Sequence, residues 1–284
     1  MQIQKSFSHQ SATLFLVSTP IGNLSDMTPR AVETLKSVAI IASEDTRVTK
    51  KLCNYFEIQT PLTSYHEHNK NQKTEYLLER LANGEDVALV SDAGMPLISD
   101  PGDKLVESAT HGGFAVVSIP GANAALTALV ASGLPTQPFL FHGFVERQKA
   151  KKKAELQTLE QVRATIIFYE SPHRLKETLT AMLEIFGNRK VVVARELTKM
   201  YEEYLRGTIN EILTHLNEVK GEIVLIVEGN SSQPAKEEWW LGKSLQEHIE
   251  YYISEGLKTN NAIKQAAVDL GRTRQEVYKE YHNE

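Results

Sequence analysis

Short apolar runs alternate with polar loops along most of the 284-residue chain, and each run is shorter than an ordinary helix. Several loops are followed by helix starts, such as Thr28-Pro29. The pattern predicts strands at residues 13–18, 38–42, 61–65, 87–90, 114–119, 165–169, 191–194, 203–206 and 222–228. Repeated strand–loop–helix units indicate the α/β class, with parallel sheets covered by helices.

The stretch 87–102 combines a buried strand, a loop of small and polar residues and a helix start. The apolar run 87–90 is typical of a strand covered on both faces, and the loop 91–94 follows it. Small residues there allow a ligand to approach the backbone, and ligands bind at the carboxyl ends of parallel strands. Asp100 and Pro101 predict the cap and the first residue of the next helix. A strand–helix connection without a ligand is the alternative interpretation.

Polar loops that follow predicted strands are expected to meet at one edge of the sheets; they lie at 19–24, 43–47, 91–100, 120–124 and 170–174. None carries the Gly-x-Gly-x-x-Gly pattern of dinucleotide binding or the P-loop pattern of nucleotide hydrolases. His66-Glu67-His68 lacks the further ligands that a closed zinc site needs. We therefore interpret this segment as a solvated or substrate-facing loop and predict no metal.

The composition excludes several classes of protein. Hydrophobic residues make up 41% and charged residues 24% of the chain, as in a soluble globular protein. Cys53 is the single cysteine, which excludes an intramolecular disulfide and a Cys-based zinc cluster and fits a cytoplasmic location. No apolar run is long enough to span a membrane, and residues 1–11 are polar, so we expect no membrane association and no signal peptide. The net charge of −5 does not by itself indicate nucleic acid.

A basic run at 146–153 suggests a linker or helix entry between two lobes. We predict an N-terminal α/β lobe at 12–120, a second α/β lobe at 121–232 and a helical tail at 233–284. In the tail, one helix is predicted at 261–270, with Gly271 ending it and Thr273 capping the next. This helix-turn-helix-like pattern is typical of a nucleic-acid module or of a packed helical pair.

Several long motifs, taken in order, resemble a known family. They lie at 18–24, 43–47, 90–102, 168–174 and 195–199. Together they closely resemble the small-subunit ribosomal RNA methyltransferase I family of the tetrapyrrole-methylase superfamily. The resemblance extends from about residue 13 to the C-terminus.

The resemblance implies two α/β lobes with S-adenosylmethionine (SAM) in the cleft between them, plus a small helical tail. It also implies methylation of the ribose 2′-oxygen of a cytidine in the decoding region of 16S rRNA, on the small ribosomal subunit, by a homodimer. Matching loops to the superfamily's cofactor contacts assigns SAM binding to Pro20, Ile21, Asp92, Gly94, Met95, Pro96, Ile98, Asn123, Ala124 and Tyr169. Met95 departs from the threonine usual at its position, which keeps an apolar wall but removes a hydroxyl.

Methyl transfer from a sulfonium requires the nucleophile, methyl carbon and sulfur to be held in line, and positioning contributes roughly 7–11 kcal/mol. A ribose hydroxyl is a weak acid, so a carboxylate that accepts its proton adds about 10²–10⁴-fold. The candidates are Glu170, Asp45, Asp100 and Glu196. Glu170 is our first prediction, because it ends a strand just before a helix start, and Asp45 is the second. Arg195 is predicted to stabilise the developing alkoxide.

A set of basic residues is predicted to contact RNA phosphates: Arg47, Lys149, Lys151, Lys152, Lys153 and Arg174. A solvated helix face is the alternative for the lysines. An ion-pair network that only supports the fold is the alternative for the charged residues of 170–174 and 195–196.

Two other functions stay open on the sequence. One is a superfamily enzyme that methylates a tetrapyrrole or another small molecule, which requires neither the basic run nor the helical tail. The other is a non-enzymatic ribosome-binding protein, which requires no cofactor loop like 91–100.

Overall fold

The computed structural model describes residues 3–4, 12–216, 219–231 and 239–282. The chain forms two compact units, Met1–Asn230 and Ser231–Glu284. The predicted boundary between residues 232 and 233 and most of the polar segment 1–11 lie outside the described residues. Among the helices of the described part, none is long and apolar enough to cross a membrane.

The first sheet is entirely parallel, in the order β3-β2-β4-β1-β5. Its strands are β1 (Thr13–Val17), β2 (Ile40–Ser43), β3 (Leu62–Ser64), β4 (Val87–Val90) and β5 (Ala115–Ile119). Helices α1 (Pro29–Ser37) and α2 (Thr46–Tyr55) cover one face, and α3 (Lys70–Ala82) and α4 (Asp103–His111) cover the other. Because both faces are covered, β2 and β4 are buried along their whole length, as their apolar runs predict.

The second sheet has the order β6-β7-β10-β8-β9 and is mixed, so the prediction of parallel sheets throughout is wrong here. Its strands are β6 (Phe139–Phe144), β7 (Thr165–Glu170), β8 (Lys190–Arg195), β9 (Glu203–Thr208) and β10 (Ile223–Val227). Only β6 and β7 are parallel, whereas β10 is antiparallel to both its neighbours and β9 to β8. The connection 196–202 is too short for a parallel crossover, which needs about a dozen residues. The sequence pattern did not predict β6, whose apolar run is interrupted by His142 and Gly143.

Helices also cover both faces of the second sheet. They are α5 (Ala124–Ser132) on one face and α6 (Lys149–Leu159), α7 (Pro172–Phe186) and α8 (Ile209–His215) on the other. The core beneath α5 also contains Ile21, from the loop after β1, and Leu197, from the loop after β8. This shared apolar core ties a loop of the first sheet to the second sheet.

Helix α4 begins two residues later than the sequence predicts. Asp103 is its first residue and Gly102 its cap, so the predicted start at Asp100-Pro101 is wrong. The loop before it places Leu97 and Ser99 in the left-handed region, with φ of 70° and 69°. Gly102 has φ of 148°, which no helical residue adopts, so the helix cannot begin before it and Asp100 lies outside the helix.

The second unit is a three-helix array of α9 (Leu245–Ser254), α10 (Thr259–Asp269) and α11 (Arg274–His282). The predicted helix end and cap are confirmed: Gly271 has φ of 63°, and the Thr273 hydroxyl accepts from the N–H of Glu276. The small core of this array includes Ile249, Ile263 and Val277. RNA binding by this tail stays a prediction.

Candidate functional site

A cleft of about 350 Å³ lies in the first unit, where loops from both sheets meet. Its walls come from the loops after β1, β4, β5 and β7, together with residues around Leu197 and the start of β10. Four of the five predicted polar loops therefore meet, as the sheet-edge argument requires. The fifth, 43–47, does not line the cleft but touches its rim, because the Asp45 N–H donates to Asp92 Oδ1 at 3.1 Å.

Backbone pairing fixes the loop after β4 against the loop after β1. Thr19 and Gly94 exchange N–H···O bonds of 2.9 and 3.0 Å. Gly94 has φ of 83°, and a Cβ there would lie 3.3 Å from Ile21 Cγ2. Glycine thus allows both the left-handed turn and the close approach of the two loops.

Most of the residues predicted to bind cofactor line this cleft: Ile21, Gly94, Met95, Ile98, Asn123, Ala124 and Tyr169. The remaining three do not line it. Pro20 is half-buried beside Ile21, and Pro96 is buried beside Met95. Asp92 is exposed and bonds Asp45 at the rim. The side chains that line the cleft are mostly apolar, with the Asn123 amide held as the cap of α5 by the Leu126 N–H.

Asp100 lines the cleft and carries the most perturbed carboxyl group in it. Burial, reinforced by the negative charges of Glu44 and Asp92, raises its pKa from 3.8 to about 6. At neutral pH this carboxyl is ionised, yet it is a stronger base than an ordinary aspartate. That combination suits a group that accepts a proton.

Glu170 also lines the cleft, but its carboxylate is buried and held on several sides. Its Oε1 accepts from the Ser171 N–H at 2.8 Å, and its Oε2 accepts from the Thr178 hydroxyl at 2.6 Å. The Arg174 Nε lies 3.5 Å from Oε1. These contacts tie the end of β7 to the first turns of α7 and occupy the lone pairs that a catalytic base would use.

Comparison with known proteins assigns the chain to a family. The family profile described as tetrapyrrole (corrin/porphyrin) methylases matches residues 13–213. The chain is 56% identical to the ribosomal RNA small subunit methyltransferase I of Bacillus subtilis (strain 168), over 98% of each chain. It is 54% identical to the protein of the same name from Halalkalibacterium halodurans, over the full length of both. The chain belongs to the ribosomal RNA small subunit methyltransferase I family.

A solved structure shares the fold of this family at low identity. It is the uroporphyrin-III C-methyltransferase from Thermus thermophilus complexed with S-adenyl homocysteine, with a TM-score of 0.54 and 16% identity. The similarity covers 76% of this chain and 97% of that one. The predicted fold, two α/β lobes of tetrapyrrole-methylase type with C-terminal helices, is confirmed.

Neither Asp45 nor Arg195, the other predicted catalytic residues, lines the cleft. Asp45 caps α2, and its hydrogen bonds from Arg47 lower its pKa to about 2, which makes it a weak base. Arg195 pairs with Glu203 at 2.9 Å and donates to the Lys220 carbonyl. For Arg195 the geometry favours the ion-pair interpretation over a catalytic one.

The structure corrects the prediction that Lys152 contacts RNA phosphates. Its side chain is 1% exposed, and its ammonium donates to Glu177 at 3.1 Å and to the Thr178 hydroxyl at 3.3 Å. Lysine at this position of α6 faces the core, so it is unavailable to RNA phosphates.

The remaining predicted RNA-binding residues differ in their availability. Lys149 and Lys151 are exposed, whereas Lys153 pairs with Glu184. Arg47 is exposed and pairs with Asp45, while Arg174 donates to the carbonyls of Val145 and Glu146. Their contact with RNA stays a prediction, which these exposures favour most for Lys149 and Lys151.

The buried position of Lys152 predicts a stability effect that its neighbour does not share. Lys152→Ala removes a buried ammonium and its packed alkyl chain, so we expect a loss of about 1–2 kcal/mol of unfolding free energy. Lys151→Ala is expected to change it by less than about 0.5 kcal/mol, because Lys151 is exposed. Denaturant unfolding of the two variants tests this, and equal stabilities would contradict it.

The sequence did not single out Phe144 or the segment 221–224, and it assigned no role to Leu197 within the motif 195–199. Leu197 lies between the antiparallel strands β8 and β9, and 221–224 lies where the connection from α8 enters β10, so no strand–loop–helix pattern marks either as a site. The segment His66-Glu67-His68 lies after β3, and Glu67 pairs with Lys70 at 2.7 Å. Among the described residues, no group of His, Cys, Asp or Glu side chains is arranged to hold a metal ion.

Proposed function

We propose that the chain is a SAM-dependent methyltransferase that methylates the ribose 2′-oxygen of a cytidine in the decoding region of 16S rRNA. Full-length identity of 54–56% to relatives named ribosomal RNA small subunit methyltransferase I carries this proposal. The cleft supports it, because its volume of about 350 Å³ and mostly apolar walls fit a small-molecule site.

The residues of the cleft fit SAM. Ile21, Met95 and Ile98 supply apolar walls, and Gly94 exposes backbone that a larger residue would cover. When bound, SAM supplies an electrophilic methyl group on a sulfonium. The chain's own contribution is to hold the ribose hydroxyl in line with that group and to keep water away.

Asp100 is the residue to which we assign acceptance of the 2′-hydroxyl proton. It combines a place in the cleft with raised basicity, whereas both carboxylate oxygens of Glu170 already accept hydrogen bonds. Exposed Lys149 and Lys151 on α6 are the groups that we assign to phosphate contact. The expected substrate is the small ribosomal subunit in the cytoplasm.

A homodimer is the expected assembly. Leu126 and Val130 lie one turn apart on α5, are 46% and 72% exposed, and offer an apolar surface to a second copy. Light scattering of the purified chain measures its oligomeric state directly.

A cleft-filling variant tests the location of the cofactor. Ala124→Phe places a ring in the cleft at the first residue of α5, so we expect SAM affinity to fall at least about tenfold, or about 1.4 kcal/mol. Ala131→Phe lies on the exposed side of the same helix and is the matched control. Calorimetric titration with SAM measures both, and undiminished affinity in a folded Ala124→Phe protein would contradict the assignment.

A further inference from the structure

A second depression adjoins the cleft, and we call it the flanking groove. It has a volume of about 820 Å³ and lies between the loop 145–148 and the first turns of α7. Phe144 and Ser171 line both the cleft and the groove. The cleft and the flanking groove are therefore adjacent, and they meet at these two residues.

Phe144 is presented at this junction by a β-bulge. The pairing of β6 with β7 shifts register between Phe141 and Gly143, and Gly143 adopts φ of 82°. One extra residue reverses the alternation of side chains, so Phe144 faces the same side as Phe141 rather than the side of Leu140. Both phenylalanine rings contact Tyr169, with centroid distances of 5.1 and 5.6 Å.

The result is an aromatic ring that the protein leaves open to solvent. Phe144 is 54% exposed although it stands beside a cleft of mostly apolar side chains. An exposed aromatic ring beside a binding site is a platform on which a base stacks.

The charges of the flanking groove favour a phosphate-bearing ligand. Arg147 is exposed, and the structure gives it no hydrogen bond or ion pair with any described residue. Lys149 and Lys151 continue the positive charge along α6. Two of the groove's carboxylates are already engaged, Glu155 by His142 and the Glu146 N–H, and Glu177 by Lys152. The exposed carboxylates among the described residues of the groove are those of Glu146 and Glu177, and Glu177 is paired with Lys152.

We infer that the flanking groove binds the nucleotide next to the methylated one in single-stranded RNA. Its base stacks on Phe144, and its phosphate lies beside Arg147. The inference rests on the proposed function and adds to it a contact outside the cofactor cleft. Stacking on Phe144 holds the strand so that the neighbouring ribose enters the cleft.

Steady-state methylation of unmodified small ribosomal subunits tests the inference. Phe144→Leu keeps apolar bulk but removes the stacking ring, so we expect KM for the subunit to rise about 5- to 150-fold, with kcat within about threefold of the wild type. Phe144→Trp retains a stacking ring and is expected to restore KM to within about threefold. Because Phe144 also lines the cleft, KM for SAM is expected to change in Phe144→Leu, but by less than KM for the subunit.

Phe139→Leu is the matched control, because Phe139 is 44% exposed at the opposite end of the same strand and lines neither the cleft nor the groove. Subunit KM values that are equal in Phe144→Leu and Phe139→Leu would overturn the inference while leaving the proposed function intact. A fall in kcat or a rise in the KM for SAM, without a rise in the subunit KM, would also overturn it, since Phe144 would then only shape the cleft. Failure of the wild-type protein to methylate subunits at all would overturn the proposed function instead.

Discussion

Replacing Asp100 by Asn is expected to lower the single-turnover rate of methyl transfer by about 10²-fold or more, while SAM affinity stays within a few-fold of the wild type. Asn keeps the size of the side chain but cannot accept a proton, and general-base catalysis contributes about 10²–10⁴-fold. Asp100 lines the cleft, and its carboxyl has a pKa of about 6. Rapid-quench measurements with saturating protein and SAM isolate this step from substrate binding.

The rates of the wild type and of Asp100→Asn are expected to depend differently on pH. The wild-type rate is expected to rise as pH increases through about 6, because the carboxyl must be ionised to accept a proton. The rate of the Asn variant is expected to lack this step. A wild-type rate that is flat between about pH 5 and 8, or a variant that keeps the full rate, would contradict the assignment.

Ionisation of Asp100 is expected to lower the stability of the fold, although it raises the rate of methyl transfer. Its pKa is raised above 3.8 in the folded state, so its contribution to stability is fully present below 3.8 and is lost as pH rises through about 6. The amide of the Asn variant carries no charge at any pH in this range, so Asp100→Asn is expected to melt at a higher temperature than the wild type at about pH 7.5. A merely structural role for Asp100 predicts a lower melting temperature instead.

Replacing Glu170 by Gln is expected to lower the free energy of unfolding by about 2–4 kcal/mol. The change removes a buried charge that accepts from Ser171 and Thr178 and lies beside Arg174, and it leaves that guanidinium without its carboxylate. The single-turnover rate per folded molecule is expected to stay within about fivefold. Denaturant unfolding and single-turnover kinetics on the same preparation measure both quantities.

Glu203→Gln is the control for Glu170→Gln. Glu203 also pairs with an arginine, Arg195, but its side chain is 50% exposed, so its loss is expected to change stability by less than about 0.5 kcal/mol. If Glu170→Gln instead keeps its stability and loses rate, Glu170 is the base and the assignment to Asp100 is wrong.

Much of the fold follows from local sequence. Apolar runs such as 87–90 are buried strands because helices cover both faces of the first sheet. The helix start at Thr28-Pro29 is confirmed, since the Thr28 hydroxyl accepts from the Ala31 N–H. Loops that follow parallel strands all lie at the same edge of the sheet. Most of the predicted cofactor residues therefore line one cleft.

The features that the sequence did not predict depend on contacts between distant segments. The sequence predicts Asp100 as a helix cap, but the non-helical backbone of Gly102 separates it from α4, and Asp100 lines the cleft instead. The sequence predicts Lys152 as part of a basic surface, but Glu177 and Thr178 on another helix make its burial favourable. Phe144 lies in a strand that the sequence did not predict, and a bulge in that strand turns it toward Tyr169.

The most direct measurement incubates unmodified small ribosomal subunits with the protein and SAM and maps the product by mass spectrometry of nuclease fragments. We expect one 2′-O-methylated cytidine in the decoding region of 16S rRNA with the wild-type protein and at least about 10²-fold slower formation with Asp100→Asn. Methylation of a base, methylation of a different region of the RNA, or no methylation of the RNA would contradict the account.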